Sequence, residues 1–255
     1  MKKINLVLCG CLGSMGMEFV EVAESALDLR IVAGISKIEN KGRKFPIFRC
    51  FDDLDKLNIK FDVILDFSHP SVLDQLLKFA TDRNVPVVIC TTGYSENQLA
   101  YIKQVSEIIP VFLSSNTSLG VNVLVEIIKI AKKLLGRDFD IEIIEKHHNH
   151  KLDAPSGTAL MLADKISEKN TKYVYDRTSY RRARERNEIG IHTVRCGGIS
   201  GEHEIIFAND YETLTLKHTA NSRKVFAYGA LSAVNFIINK PAGFYTMKDV
   251  LRIYD

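Results

Sequence analysis

The sequence predicts an α/β protein in which a doubly wound parallel sheet is followed by a second, mixed α/β domain with an open sheet. Three observations carry this. Short, almost wholly apolar runs, such as INLVLC at 4–9, RIVAGI at 30–35 and PVVIC at 86–90, alternate with segments of helical spacing through the first half of the chain. Such runs are strands buried on both faces. After about Leu119 the runs begin to alternate apolar with polar residues, which suits a sheet with one open face. At 255 residues the chain is long enough for two modest domains, each with its own core.

The elements follow in order. Ile4–Cys9 is a strand that stops at glycine, and 14–26 is helical through Met15, Phe19, Val22 and Ala26. Strands follow at 30–35 and 61–67. A helix at 70–83 gathers Leu73, Leu76, Leu77 and Ala80 on one side. Then come a strand at 86–90, a helix at 96–108 and a strand at 110–113. In the second half, 121–135 is a strong helix, 139–146 partly alternates, and a helix starts near Ser156 and runs to Ser167. The runs IGIHTVRC, EHEIIFAN and ETLTLKHT, separated by turn-like residues, read as antiparallel neighbours. Residues 171–188 lack an apolar face and read as a loop or exposed arm. Arg223–Ile238 is helical again, with Phe226, Ala230, Ala233, Val234 and Ile237 in register.

Composition excludes some classes. With 46% apolar and 25% charged residues the chain is neither disordered nor fibrous. A net charge of +3 argues neither for nor against nucleic acid. No apolar run reaches the roughly 18 residues of a membrane span, and the N-terminal run reads as a buried strand rather than a signal peptide. Five cysteines without metal-type spacing fit reduced thiols in a cytoplasm. The five arginines between Arg177 and Arg186 read as a solvated arm or subunit contact rather than a nucleic-acid surface.

Gly10, Gly13 and Gly16 form G-x-x-G-x-x-G after the first strand and open the first helix. A tight turn there lets backbone N–H groups approach a pyrophosphate at a positive helix end. The expectation is a Rossmann-type dinucleotide domain. The second strand ends in Ser36-Lys37, where an acid for the ribose hydroxyls would stand, and Lys41, Arg43 and Lys44 lie close by. A 2'-phosphate suits such a place, so NADPH is expected over NADH. CTTG at 90–93 and SSNTSLGVNV at 114–123 end two further strands, at the edge where a nicotinamide would lie.

The run EKHHNHKLDAPSGTAL at 145–160 crowds three histidines and two lysines before a helix start. Ser156 is the N-cap candidate, leaving the amides of Gly157 and Thr158 as donors for a carboxylate. His148 and Lys151 add positive charge, and His147 and Lys151 are candidate proton carriers. Zinc on His147, His148 and His150 has no supporting motif, so no metal is expected.

This run resembles the signature E-x-H-H-x-x-K-x-D-A-P-S-G-T-A of the 4-hydroxy-tetrahydrodipicolinate reductase (dihydrodipicolinate reductase) family of bacterial lysine and diaminopimelate synthesis, with every fixed position present. The resemblance extends through the glycine loop, DFS, CTTG, SNTSLGVNV, VRCGGISGEHEI, ANSRKVFAYGA and GFYTMKDVL, nearly end to end. It implies a dinucleotide-binding domain of 1–118 and 224–255, around a substrate-binding and oligomerisation domain of 119–223. It implies hydride transfer from NAD(P)H to a cyclic imine dicarboxylate with loss of water, in a homotetramer. His147 and Lys151 would occupy the proton-transfer positions, and His148, Gly157 and Thr158 would hold substrate carboxylate. Gly10, Cys11, Leu12, Gly13, Ser14, Met15, Lys37, Cys90, Thr91, Thr92, Ser114, Ser115, Asn116 and Thr117 would line the cofactor. The chain departs from the family pattern at Leu12, Ser14, Cys90 and Ser36-Lys37, all on the cofactor side. Two alternatives stay open: another two-domain Rossmann oxidoreductase, and a protein that senses NAD(P)H without turnover.

Overall fold

The computed structural model describes residues 3–37, 44–55, 59–179 and 181–253. The first part runs β1 (Ile4–Cys9), α1 (Ser14–Ser25), β2 (Leu29–Ile35), β3 (Ile47–Phe48), α2 (Phe51–Asp55) and β4 (Val63–Asp66). A 3-10 turn at Pro70–Val72 leads into α3 (Leu73–Arg83), then β5 (Val87–Ile89), α4 (Glu96–Ser106) and β6 (Pro110–Leu113). The second part holds α5 (Leu119–Leu135), β7 (Asp140–His147), α6 (Gly157–Ile166), β8 (Lys172–Val174), β9 (Glu188–Arg195), β10 (Glu202–Ala208) and β11 (Thr213–Thr219). The chain ends in α7 (Lys224–Ile237), β12 (Gly243–Tyr245) and α8 (Met247–Leu251). Two compact units result: Met1–Leu119 with Arg223–Asp255, and Gly120–Ser222.

In the first unit the sheet order is β12-β6-β5-β4-β1-β2-β3, with every pairing parallel. Successive side chains of a strand point to opposite faces. Leu6 and Leu8 of β1 therefore join Phe19, Val20, Ala230 and Val234 on one face, while Val7 and Cys9 join Leu76, Leu77 and Ile102 on the other. Each fully buried side chain of this size stabilises by about 1.5–3 kcal/mol. Local signals set the helix ends. Ser95 and Gln98 form a reciprocal capping box at the start of α4, and Asn84 closes α3 in the left-handed region at φ +50°.

In the second unit the order is β11-β10-β7-β9-β8. Ile141 and Ile143 of β7 and Ile205 and Phe207 of β10 pack with Leu124, Ile128, Leu162 and Ile166 of α5 and α6. The alternate residues Asp140, Glu142, Ile144 and Lys146 are only half-buried, so the other face is open. The inward row of β7 continues past its two isoleucines into Glu145 and His147, both buried. The same alternation that builds the core thus carries two ionisable side chains to the strand's end.

Several expectations are corrected. β10 and β11 are antiparallel neighbours, but β9 is not beside β10; it runs parallel to β7, which lies between them. The 171–188 segment is not simply an arm. Lys172–Val174 pairs with β9, and three of its five arginines meet carboxylates, while Arg181 and Arg186 are exposed. Arg177 lies 3.0 Å from Glu188 and 2.6 Å from Glu142, Arg182 lies 2.7 Å from Glu188, and Arg184 lies 2.9 Å from Asp140. Burial pushes the Glu188 carboxyl up, but the hydrogen bonds from Arg177 and Arg182 outweigh it and hold it at about 2. The short β3, α2 and β12 escape the periodicity reading. Among the described residues, no helix is long and apolar enough to cross a membrane.

Candidate active site

Two clusters of candidate residues form, one in each unit. In the first unit, the predicted cofactor residues come together at the carboxyl edge of the parallel sheet. Gly10 takes φ +73°, and a Cβ on it would lie 2.4 Å from the Phe67 carbonyl oxygen. A Cβ on Gly16 would lie 2.2 Å from the Gly10 oxygen, so α1 can approach the loop only with glycine there. α1 starts at Gly13 with no side-chain cap and no acid in its first turn, which leaves its first amides to an anion. Met15 is half-buried, and Gly13 and Ser14 are exposed. These features fit a dinucleotide pyrophosphate.

The neighbouring segments join by hydrogen bonds: Cys90 N–H to Asp66 O at 2.9 Å, Ser114 N–H to Ile89 O at 3.1 Å, and Gly10 N–H to Ile35 O at 2.9 Å. Several of the predicted side chains are already committed. Thr91 donates to Asp66 at 2.6 Å and Thr117 to the Phe226 carbonyl at 2.7 Å. Ser114 donates to Asn116 O at 2.7 Å, and the Asn116 side chain accepts from Ser118 N–H at 2.9 Å. Cys11 is fully buried with its sulfur against Gly34. Thr91, Thr117 and Cys11 would therefore meet a ligand through backbone. Leu12 is half-buried, and Thr92, Ser115 and Lys37 are exposed. Lys44 pairs with Glu24 at 2.8 Å, and Lys41 and Arg43 lie outside the described residues.

Asp66 was not among the predicted site residues. Burial pushes its carboxyl up, only partly opposed by hydrogen bonds from Ser68, Thr91 and Tyr94. It fastens the ends of β4 and β5 together. The DFS run was a visible signal of it, but nothing in spacing separates such a residue from a loop acid.

In the second unit, His147 Nδ1 lies 2.5 Å from Glu145 Oε2. Arg195 reaches both oxygens of Glu145 at 2.8 Å, and the Ser156 N–H donates to Oε1 at 3.0 Å. Burial alone would raise the Glu145 carboxyl, but the bonds from His147 and Arg195 outweigh it and hold it at about 2. The His203 ring stands edge-on to His147 at 5.2 Å between centroids, and burial and the neighbouring His147 lower it to about 3. Ser156 caps α6 as expected, accepting from Ala159 N–H at 3.1 Å. The Gly157 amide is not free, however: it faces the carboxylate of Asp153, which also lies 2.7 Å from Lys151 Nζ. His148 stands 6.3 Å from His150, ring to ring. Among the described residues no group of three His, Cys, Asp or Glu is placed to hold a metal. Glu145, Arg195 and His203 were absent from the predicted site. Only their positions in the quoted runs hinted at them.

The two family models that match are described as dihydrodipicolinate reductase, N-terminus, over residues 4–117, and dihydrodipicolinate reductase, C-terminus, over residues 120–251. The chain belongs to the dihydrodipicolinate reductase family. Among its relatives, the 4-hydroxy-tetrahydrodipicolinate reductase of Clostridium novyi (strain NT) is 47% identical over 251 residues, covering 97% of this chain and 98% of that protein. That of Caldanaerobacter subterraneus subsp. tengcongensis is 46% identical over 253 residues, covering 98% of each. A solved structure of the family, dipicolinate-bound dihydrodipicolinate reductase from Paenisporosarcina sp. TG-14, is 26% identical with a TM-score of 0.77, covering 96% of this chain and 97% of that one. The family's C-terminal model runs through α7, β12 and α8, the elements that complete the first unit of this chain.

Proposed function

We propose that the chain is a 4-hydroxy-tetrahydrodipicolinate reductase. It reduces that cyclic dicarboxylate with NAD(P)H, with loss of water, to tetrahydrodipicolinate in lysine and diaminopimelate biosynthesis. The observation that carries the reading is the 145–158 run. It supports an imidazole on a buried carboxylate, an ammonium four residues on, and a capped helix start in one short segment. Gly10–Met15, Cys90–Thr92 and Ser114–Thr117 would hold a reduced nicotinamide dinucleotide, which would supply the hydride. The chain's own groups do the rest. His148, Thr158 and Gly157, once Asp153 gives way, bind a substrate carboxylate at the positive end of α6. His147 and Lys151 deliver the proton that completes the reduction.

Lys37, exposed at the end of β2 where an acid for the ribose hydroxyls would stand, supports NADPH over NADH, although Lys44 is engaged by Glu24. The open face of the second sheet supports a homotetramer assembled through that unit, and a cytoplasmic location suits five cysteines without a disulfide. The test follows nicotinamide absorbance with freshly made substrate, NADPH and NADH side by side. Turnover with higher kcat/KM for NADPH is expected. No turnover with either cofactor overturns the activity, and equal or better values with NADH overturn the preference.

A further inference from the structure

We propose that Glu145 is the positioning residue of this site: clamped by Arg195, it fixes a proton on Nδ1 of His147, leaves Nε2 as the atom that exchanges protons, and ties the ring to the first turn of α6. The proposal deepens the reading of His147 as a proton carrier and rests on it.

The geometry argues it. Glu145 is fully buried and sits two residues before His147 on β7, so both side chains share the inward face. Its oxygens are surrounded by donors only. Oε2 takes His147 Nδ1 at 2.5 Å and Arg195 Nη1 at 2.8 Å. Oε1 takes Arg195 Nη2 at 2.8 Å, Ser156 N–H at 3.0 Å and the Thr193 hydroxyl at 3.1 Å. An ionised carboxylate only accepts, so Nδ1 is the donor whether the ring is neutral or cationic. The imidazolium then releases its proton from Nε2 to the reduced substrate. It is left neutral with Nδ1–H, and a solvent proton restores it. None passes to Glu145.

The clamp reaches further. Arg195 also donates to the backbone oxygens of Lys151 at 3.3 Å and Asp153 at 2.5 Å. One guanidinium therefore sets both the carboxylate under the imidazole and the loop that carries the ammonium. Against the imidazole stand Glu145 on β7, itself held by Arg195 of β9, and His203 on β10, which in turn feels Lys151 and His218 of β11. Among these described groups Glu145 is the anion.

The test has two arms. In the first, long-range 15N–1H spectra of wild-type protein labelled at histidine read the neutral tautomer, with His147 assigned by its loss in His147→Gln. Nδ1–H is expected, and Nε2–H overturns the proposal. This arm needs no turnover, so it stands or falls apart from the proposed activity. In the second, Glu145→Gln is compared with Glu145→Asp across pH. Removing the anion should lower kcat by about 10²-fold, with a much smaller change in KM. The alkaline limb of kcat/KM should move down by about one pH unit, and Asp should recover part of both. An unchanged kcat and an unmoved limb overturn the proposal. If Glu145→Gln does not fold, Glu145→Gln with Arg195→Gln replaces it under the same expectations, beside the wild-type tautomer.

Discussion

The Ser156 hydroxyl lies 3.0 Å from Nε2 of His203 while its oxygen accepts the Ala159 N–H at 3.1 Å, so one side chain starts α6 and holds a buried imidazole. Ser156→Ala should remove about 1 kcal/mol of capping and about 1–3 kcal/mol for the orphaned ring nitrogen. For a chain of this size the melting temperature should fall by roughly 5–15 °C. Calorimetry checks this, and Ser156→Thr, which keeps the hydroxyl, should recover most of the loss.

The same imidazole makes the fold acid-labile. His203 is held at about 3 in the folded protein, against 6.5 for a free histidine. Its contribution is fully present above 6.5 and drains away as pH falls toward 3, because the unfolded chain gains the proton first. At pH 5 the loss is about 2 kcal/mol. Glu145, lowered to about 2 from 4.5, adds a second loss below pH 4.5 of the same sign. Urea midpoints at pH 7 and pH 5 measure it. His203→Gln should flatten the difference between them, and an equal slope in the variant would refute the assignment.

His147→Ala and Lys151→Ala should each lower kcat by about 10²–10⁴-fold with far-ultraviolet dichroism unchanged. Lys151 must first leave Asp153, 2.7 Å away. Asp153→Asn should therefore change substrate KM more than kcat, whereas His148→Ala should raise KM. Steady-state kinetics separates the four.

Gly16→Ala tests the cofactor loop. Its new methyl would stand 2.2 Å from the Gly10 oxygen and 2.8 Å from Cys11 Cα, both backbone atoms that cannot swing aside. Overpacking of this kind costs about 1–3 kcal/mol, and if the loop loses that much of its grip the cofactor Kd should rise about 5- to 100-fold, since every 1.4 kcal/mol is about tenfold. Fluorescence titration with NADPH checks it, and unchanged affinity would place the pyrophosphate elsewhere.

How far the sequence reveals all this depends on range. Apolar runs such as VILD and VVI lie buried on both faces and announce themselves, as does Ser156 before its helix. The order of strands in the second sheet was not legible, because β9 has the same alternation whether it lies parallel to β7 or antiparallel to β10. Nor was β12, whose three residues gain their meaning from β6, well over a hundred residues earlier. In the site, His147 and Lys151 stand out by residue type. Arg195 does not: it meets Glu145 from 50 residues away, and no local pattern encodes that contact.

The return of the chain to its first sheet has a consequence for biogenesis. Ala227, Ala230, Ala233, Val234 and Ile237 of α7 are wholly buried, and Gly229 presses so close to Thr117 that a Cβ would stand 1.7 Å from its carbonyl oxygen. A nascent chain that has emerged only through β6 lacks this layer, so its amino-terminal half exposes a greasy surface while the inserted unit is still being translated. The inserted unit, complete in sequence by Ser222, can fold first, and translation must pass Ile237 before the earlier-made half is sealed.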